Sequence, residues 1–161
     1  MSTDVTVRNA TAADGPTIIK LIEALADYEK LPPPDAEAQQ RLLNDAFGER
    51  PRFEIFLADV EGVVAGYAFI FETYSTFLAR PTFYLEDLFV LSEYRSRKVG
   101  YALFLKCVEE SEKRGCGRME WTVLDWNVTA QNFYRRMGAK HMEEWFHYRL
   151  TRDQFPEILG Q

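Results

Sequence analysis

Residues 84–102 read YLEDLFVLSEYRSRKVGYA, and this stretch decides how the chain folds. Its apolar first part predicts the end of a strand over 82–90, and two acids, Glu86 and Asp87, lie in the middle of that strand. A basic loop follows, and a helix begins near Val99. The start of a helix offers unpaired backbone N–H groups and the positive end of a dipole, so it binds phosphate readily. The stretch predicts a strand, an anion-binding loop and a helix; a solvated basic helix start is the alternative.

The periodicity of the remaining apolar residues predicts a single domain over residues 1–161 with the element order β α α β β β α β α β. Residues 11–14 resemble a capping box ahead of a first helix that ends near Tyr28. A mostly antiparallel sheet followed by a βαβ crossover, with helices on both faces, is the α/β arrangement that this order favours. Further helices are predicted over 37–47, 99–114 and 129–137, and strands over 5–7, 53–58, 63–71, 82–90, 119–124 and 141–150.

The composition limits the classes of partner. The 161 residues carry a net charge of −6, which disfavours nucleic acid as the main partner and favours a cationic ligand. No apolar run approaches the length of a membrane span, and the first residues lack the pattern of a signal peptide. With two cysteines and two histidines, no zinc-ligand spacing occurs. We therefore expect a cytoplasmic protein with no structural metal and no membrane partner.

A second informative stretch covers residues 123–139, which read VLDWNVTAQNFYRRMGA. The end of a strand, then Asn127, then a short helix that carries Phe133 and Tyr134 and stops at Gly138, is the predicted structure. Taken alone, the two aromatic residues are better explained as ordinary core residues than as functional ones.

Together the two stretches resemble the GNAT superfamily of acetyl-coenzyme A-dependent N-acetyltransferases. The first resembles its pyrophosphate loop, (Arg/Gln)-x-x-Gly-x-(Gly/Ala), with Arg95 and Gly100 in place and Lys98 where the family usually has glycine. The second resembles the family signature Asn-x-x-(Ala/Ser)-x-x-(Phe/Leu)-Tyr-x-x-x-Gly, matched here by Asn127, Ala130, Phe133, Tyr134 and Gly138.

This resemblance implies a GNAT-type mixed, mostly antiparallel, splayed sheet with helices on both faces, and acetyl-CoA as co-substrate. It also implies that the pantetheine arm lies as an extra strand between diverging strands at 88–90 and 122–124. The residues implied in cofactor binding are Leu88, Phe89, Val90, Arg95, Ser96, Arg97, Lys98, Val99, Gly100, Tyr101, Asn127, Ala130 and Tyr134.

Within the superfamily the chain is most similar to the diamine (spermidine/spermine) acetyltransferase branch. The similarity lies in six short segments: 10–14, 27–29, 47–49, 84–87, 124–127 and 144–145. It implies a homodimer and a substrate site formed by Tyr28, Glu29, Glu86, Asp87, Glu144 and Trp145. Surface solvation of Glu29 and Glu144, and core or interface packing of the aromatic residues, are the alternatives.

The chemistry of amine acetylation assigns roles to two of these residues. An alkylammonium with a pKa near 10.4 is neutral in only about one molecule in 2,500 at pH 7, so a carboxylate base is needed, and Glu86 is our candidate. Tyr134 is the candidate acid for the departing thiolate. A backbone N–H near residues 88–90, freed at a strand irregularity, is the candidate donor to the thioester carbonyl.

Asp87 follows Glu86 directly, and successive strand residues face opposite sides of a sheet. Both acids enter one cleft only if the strand bulges there. A salt bridge at the end of the strand is the other explanation for the pair.

The predicted function is transfer of acetyl from acetyl-CoA to a primary amine of a small cationic acceptor, either a polyamine or a lysine-like amine. Two alternatives stay open at this point: an acetyltransferase that acts on a peptide or protein amine, and a module that binds acetyl-CoA without turnover.

Overall fold

One five-stranded sheet forms the centre of the computed structural model, which describes residues 4–161. The spatial order of the strands equals their order in the chain. The first four strands are antiparallel to their neighbours, and the fifth is parallel to the fourth. This confirms the mixed, mostly antiparallel sheet. The strands are β1 (Val5–Asn9), β2 (Glu54–Val60), β3 (Val63–Ser75), β4 (Arg80–Val90) and β5 (Arg118–Glu120).

The helices begin and end where the local sequence predicts. The Thr11 amide donates to the Asp14 carboxylate (2.8 Å) in the predicted capping box, and the Asp35 carboxylate accepts from the Ala38 amide (2.9 Å) at the start of the second helix. The short fifth helix, near the C-terminus, was not predicted. The helices are α1 (Gly15–Glu29), α2 (Ala36–Phe47), α3 (Val99–Lys113), α4 (Val128–Arg136) and α5 (Phe155–Leu159).

Helices cover both faces of the sheet. Leu57 of β2 is buried in a cluster with Ile18 and Leu21 of α1. Its neighbour Phe56 faces the other way and lies under Lys106 of α3, whose ammonium group is 5.7 Å from the ring centroid. The predicted two-sided arrangement is therefore confirmed.

The contacts divide the chain into two compact units, Met1–Thr122 and Val123–Gln161. The first contains the sheet with α1, α2 and α3, and the second contains α4 and α5. Among residues 4–161, no helix is long and apolar enough to cross a lipid bilayer.

The predicted last strand, over 141–150, is wrong. These residues form no strand, because the backbone turns twice at the beginning of the segment. The Glu143 amide donates to the His141 carbonyl and the Trp145 amide to the Met142 carbonyl, both at 3.2 Å. Amides that close such turns cannot join a ladder with another strand.

A β-bulge interrupts β4 at Glu86. Asp87 lies opposite Phe69 of β3, and Leu85 lies opposite the next residue, Ile70, so Glu86 is an extra residue in β4. Bulges bend the strand that contains them and increase its twist.

The bulge also explains why β5 is shorter than the predicted 119–124. β5 pairs only with residues 82–84, which precede the bulge, and no strand of residues 4–161 pairs with 85–90 on that side. Beyond residue 84 this edge of β4 is therefore open, as expected for the open sheet that the resemblance implied.

The loop between β4 and α3 contains two residues in the left-handed region, Ser96 (φ 67°) and Lys98 (φ 63°). Lys98 is the residue immediately before α3, at the position where the family usually has glycine. A side chain in this conformation brings its Cβ close to a backbone oxygen, which costs about 1–2 kcal/mol, and glycine avoids that cost. The structure thus gives the physical reason for the usual glycine.

We expect Lys98→Gly to raise the free energy of unfolding by about 0.5–1 kcal/mol, because the relief of the Cβ contact exceeds the added entropy of the unfolded chain. Thermal unfolding should shift upward by roughly 1–4 °C. Lys98→Ala is the matched control, since it removes the same charge and keeps the Cβ. Equal melting temperatures for the two variants would contradict the assignment.

Candidate active site

The bulge places the two acids of β4 on one side of the sheet. Leu85 is buried on the face covered by α3, whereas Asp87 lies opposite Phe69 on the face covered by α1. Without an extra residue, Leu85 and Asp87 would share a face. Glu86 occupies the extra position and is exposed beside Asp87. The bulge that Glu86 and Asp87 need in order to enter one cleft is therefore present.

Asp87 is largely buried and is held by a tyrosine. The Tyr67 hydroxyl donates to Asp87 Oδ2 at 3.1 Å, and the Tyr67 side chain is fully buried. The pKa of Asp87 is raised to about 6: burial is the largest cause, the tyrosine hydrogen bond opposes the rise, and the charges of Glu86 and Glu29 add to it. The same burial and the carboxylate charges raise the pKa of Tyr67 well above its usual value, so its hydroxyl remains a donor.

Glu29 brings a third carboxylate to this place from the last residue of α1. It is half-buried rather than a solvated surface residue, and burial together with the charge of Glu86 raises its pKa. In the part of the chain that the structure describes, none of the three acids forms an ion pair. The salt-bridge explanation for Glu86 and Asp87 is therefore wrong.

Acids that stabilise the fold behave in the opposite way. Asp14 accepts from the Arg8 guanidinium at 2.9 and 3.0 Å, and this pairing lowers its pKa to about 2. Glu110 is paired with Lys106 and Arg114, which lower its pKa. The raised pKa values of Asp87 and Glu29 come first from burial and then from the neighbouring carboxylates, with no paired cation among residues 4–161 to oppose them, and such groups concentrate at functional sites.

An aromatic residue borders the acids. The Tyr28 ring lies 6.2 Å from the Phe89 ring, and the Arg95 guanidinium stacks over Tyr28 at 4.7 Å from the ring centroid. Arg95 Nε also lies 3.4 Å from the Val90 carbonyl oxygen. Arg95 was predicted to bind cofactor and Tyr28 to bind substrate, and the structure brings these two side chains into contact.

The N-terminus of α3 has the groups that a diphosphate needs. The Ala102 amide is the first in the helix to donate back, to the Lys98 carbonyl at 3.0 Å, so the amides of Val99, Gly100 and Tyr101 have no helical partner. Lys98 is exposed and forms no ion pair with residues 4–161. An added Cβ at Gly100 would meet only Val90 Cγ2, at 3.6 Å, so the approach to these amides is open.

Exposed cations surround this helix start. Arg97 lies beside Tyr94, with its guanidinium 5.5 Å from the ring centroid, and Ser96 is exposed between the two arginines of the loop. Free amides, a helix dipole and exposed cations suit a phosphate ligand, so the residues present fit the pyrophosphate of a coenzyme.

The open edge of β4 covers residues 85–90 and includes the predicted cofactor contacts Leu88, Phe89 and Val90. An edge strand presents unpaired N–H and C=O groups, which an extended ligand can pair with. The irregularity of β4 lies at Glu86, two residues before Leu88, rather than within 88–90 as we expected. Residues 121–124 form no strand. The predicted strand at 122–124, which was expected to flank the pantetheine arm opposite residues 88–90, is therefore wrong.

The remaining predicted residues lie in the second unit. Asn127 Oδ1 accepts from the Ala130 amide (3.3 Å) and caps α4, whose last turn carries Tyr134 with its ring 5.7 Å from that of Phe133. Glu144 and Trp145 are exposed in the turn segment. The structure thus explains the signature as a helix with its cap.

Sequence reasoning missed Tyr67. A tyrosine in an apolar strand is most simply explained as a core residue, and its ring is indeed in the core. A buried tyrosine hydroxyl needs a hydrogen-bond partner, which is the signal that could have been used. Identifying Asp87 as that partner requires the register of β3 and β4.

Among residues 4–161, no group of three or more His, Cys, Asp and Glu side chains could hold a metal ion.

Comparisons with known proteins identify the family of the chain. Residues 19–139 match the model of the acetyltransferase (GNAT) family. The chain is 32% identical to the thialysine N-epsilon-acetyltransferase of Bos taurus, with 98% of each chain covered. It is 44% identical over 112 residues to the L-ornithine N5-acetyltransferase NATA1 of Arabidopsis thaliana, which covers 68% of this chain and 49% of that protein.

Among solved structures, an integron cassette protein from the mobile metagenome of V. cholerae superposes with a TM-score of 0.81. It is 23% identical and covers 100% of this chain and 99% of its own, which shows a shared fold. GNAT proteins use acetyl-CoA as acyl donor. The chain therefore belongs to the acetyltransferase (GNAT) family and is an N-acetyltransferase that resembles the diamine acetyltransferase branch.

Proposed function

We propose that this protein transfers the acetyl group of acetyl-CoA to a primary amine of a small cationic acceptor, either a polyamine or a lysine-like amine. The observation that carries the proposal is the convergence of Glu29, Glu86 and Asp87 with no basic partner among the described residues. Carboxylates in this state attract an organic cation, because its charge replaces the missing partner.

Glu86 is the proposed base. It is the exposed member of the group and stands at the bulge, where its carboxylate is accessible. It accepts the proton that the ammonium group must lose before its nitrogen becomes a nucleophile, directly or through a water molecule. A positioned base of this kind typically contributes about 10²–10⁴-fold to the rate.

Glu29 and Asp87 are proposed to bind the cationic acceptor beside Glu86. Tyr28 adds an aromatic face, on which methylene groups or a second ammonium group can pack. Glu144 and Trp145 are included in the proposed substrate set on the family resemblance alone.

Acetyl-CoA, when bound, supplies an activated acyl group as a thioester. Arg95, Ser96, Arg97 and Lys98, with the amides of Val99, Gly100 and Tyr101, are the proposed holders of its pyrophosphate. Leu88, Phe89 and Val90 present backbone groups along the open edge of β4 to its extended arm. Asn127 and Ala130 are proposed contacts from the second unit.

Tyr134 is the proposed acid. A tyrosine side chain carries an O–H group that can donate to the departing sulfur. The proposal includes one acetyltransferase domain over residues 1–161, for which the length supplies the argument, and a homodimer, which the resemblance implies. It also includes a cytoplasmic location, argued from two cysteines that form no disulfide framework, and no nucleic acid partner, argued from the net charge of −6.

We expect Glu86→Gln to lower kcat for amine acetylation at pH 7.5 by about 10²–10⁴-fold, since glutamine cannot accept the proton. Affinity for CoA, measured by calorimetry, should stay within about twofold of the parent. Glu61→Gln is the matched control, because it makes the same charge change at an exposed position in the turn between β2 and β3. A Glu86→Gln variant that keeps the parent rate would contradict the assignment of Glu86 as the base.

An acceptor screen tests the substrate class. With acetyl-CoA in excess and release of free thiol as readout, we expect spermidine, putrescine, thialysine or lysine to exceed a basic peptide in kcat/KM by at least about tenfold, since desolvated acids at short range favour a compact cation. A peptide that outperforms every small amine would favour the protein-acetylating alternative. Binding of acetyl-CoA with no thiol release for any acceptor would favour a module without turnover.

A further inference from the structure

Among the described residues that form the buried cluster beneath the site, Tyr67 is the member with a polar side-chain group. The ring is fully buried, so phenylalanine would satisfy the packing. The hydroxyl adds a single hydrogen bond, to Asp87 Oδ2 at 3.1 Å. The cluster around the ring contains Ile18, Leu21, Ile55, Leu57 and Phe89.

The register of β3 and β4 creates this contact. Tyr67 lies opposite Phe89, and Asp87 lies opposite Phe69, so the tyrosine reaches Asp87 diagonally along one face of the sheet. Asp87 shares that face with Phe89 by the ordinary alternation of a strand, and the bulge places the extra residue, Glu86, directly beside it. The hydrogen bond therefore holds the acid that neighbours the bulge.

Only one oxygen of Asp87 is engaged. Oδ1 accepts no hydrogen bond from residues 4–161, and no buried side-chain oxygen or nitrogen in that range lacks a partner, so Oδ1 is open to solvent. The groups that act on Asp87 are Tyr67 from β3, Glu29 from α1 and Glu86 from its own strand. Of these three, only the tyrosine hydroxyl favours the carboxylate form.

We propose that Tyr67 is a positioning residue, whose hydroxyl holds Asp87 as a carboxylate with its second oxygen directed at the ammonium group of the acceptor, beside Glu86. This inference rests on the proposed function. Glu86 removes the proton, and Asp87 supplies a fixed negative charge that remains ionised while the acceptor binds. No bond is made or broken by Tyr67, which acts only through Asp87.

Tyr67→Phe tests the inference. Loss of the hydrogen bond favours protonated Asp87, so the pH at which Asp87 becomes ionised should rise by about one unit. The ratio of kcat/KM for the variant to that for the parent cancels the titration of the acceptor itself. We expect this ratio to be near one at pH 8.5, where Asp87 is ionised in both, and to fall about five- to tenfold at pH 5.5.

Two variants separate this role from a structural one. Tyr84→Phe removes the hydroxyl of a half-buried tyrosine on β4 whose ring lies 5.1 Å from that of Phe71. The ratio of kcat/KM for this variant to that for the parent should not change with pH. In an Asp87→Asn background, Tyr67→Phe should produce no further pH-dependent change. A flat ratio for Tyr67→Phe, or a loss that persists in the Asp87→Asn background, would overturn the inference.

A readout without acceptor distinguishes failure of this inference from failure of the proposed function. Titration of the Asp87 carboxyl carbon by NMR, in ¹³C-labelled parent and Tyr67→Phe protein, follows the ionisation directly. A higher midpoint in the variant supports the role of Tyr67 whichever amine proves to be the acceptor. An unchanged midpoint refutes it even if the acceptor screen succeeds.

Discussion

One extra residue in a β-strand determines the geometry of this site. Because Glu86 has no counterpart in β3, the alternation of side chains in β4 is reset, and Asp87 faces α1 although Leu85 faces α3. The same bulge ends the pairing of β4 with β5 after Tyr84. A strand with an open edge and a pair of acids on one face thus have a single cause, which is why the two features occur side by side.

The sequence predicted what depends on local periodicity and on short motifs. Residues close together in the chain are enough to predict the strands around Tyr67 and Phe89 and the capping box before the first helix. They also predict the strand–loop–helix unit whose helix begins at Val99. From the sequence alone, Glu86 and Asp87 can enter one cleft only if the strand bulges there. Whether a bulge exists cannot be predicted from one strand, since a bulge is a property of two paired strands.

The errors have the same origin. The alternation after His141 is compatible with a strand, but turns at Glu143 and Trp145 use amides that a ladder would need. β5 is short because its partner bends away, which nothing in residues 119–124 reveals. Tyr67 was overlooked because its partner lies 20 residues along the chain, on the neighbouring strand.

The acids of the site weaken the fold that carries them. Asp87 has a pKa of about 6 in the folded protein against an ordinary value of 3.8, so between these pH values the folded state binds a proton that the unfolded chain has released. The free energy of unfolding therefore falls as pH rises through this window, by on the order of 2–3 kcal/mol in total. Asp14, which is paired with Arg8, has the opposite effect.

This cost is linked to binding. A cation placed among Glu29, Glu86 and Asp87 favours their ionised forms, so below about pH 6 its binding must release a proton from Asp87. The unpaired carboxylates lower the free energy of unfolding, and a cation that binds among them offsets this loss. The offset contributes to the affinity for the cation. A neutral or anionic ligand recovers none of this loss, so under the proposed function the burial that weakens the fold also makes the site selective for a positively charged amine.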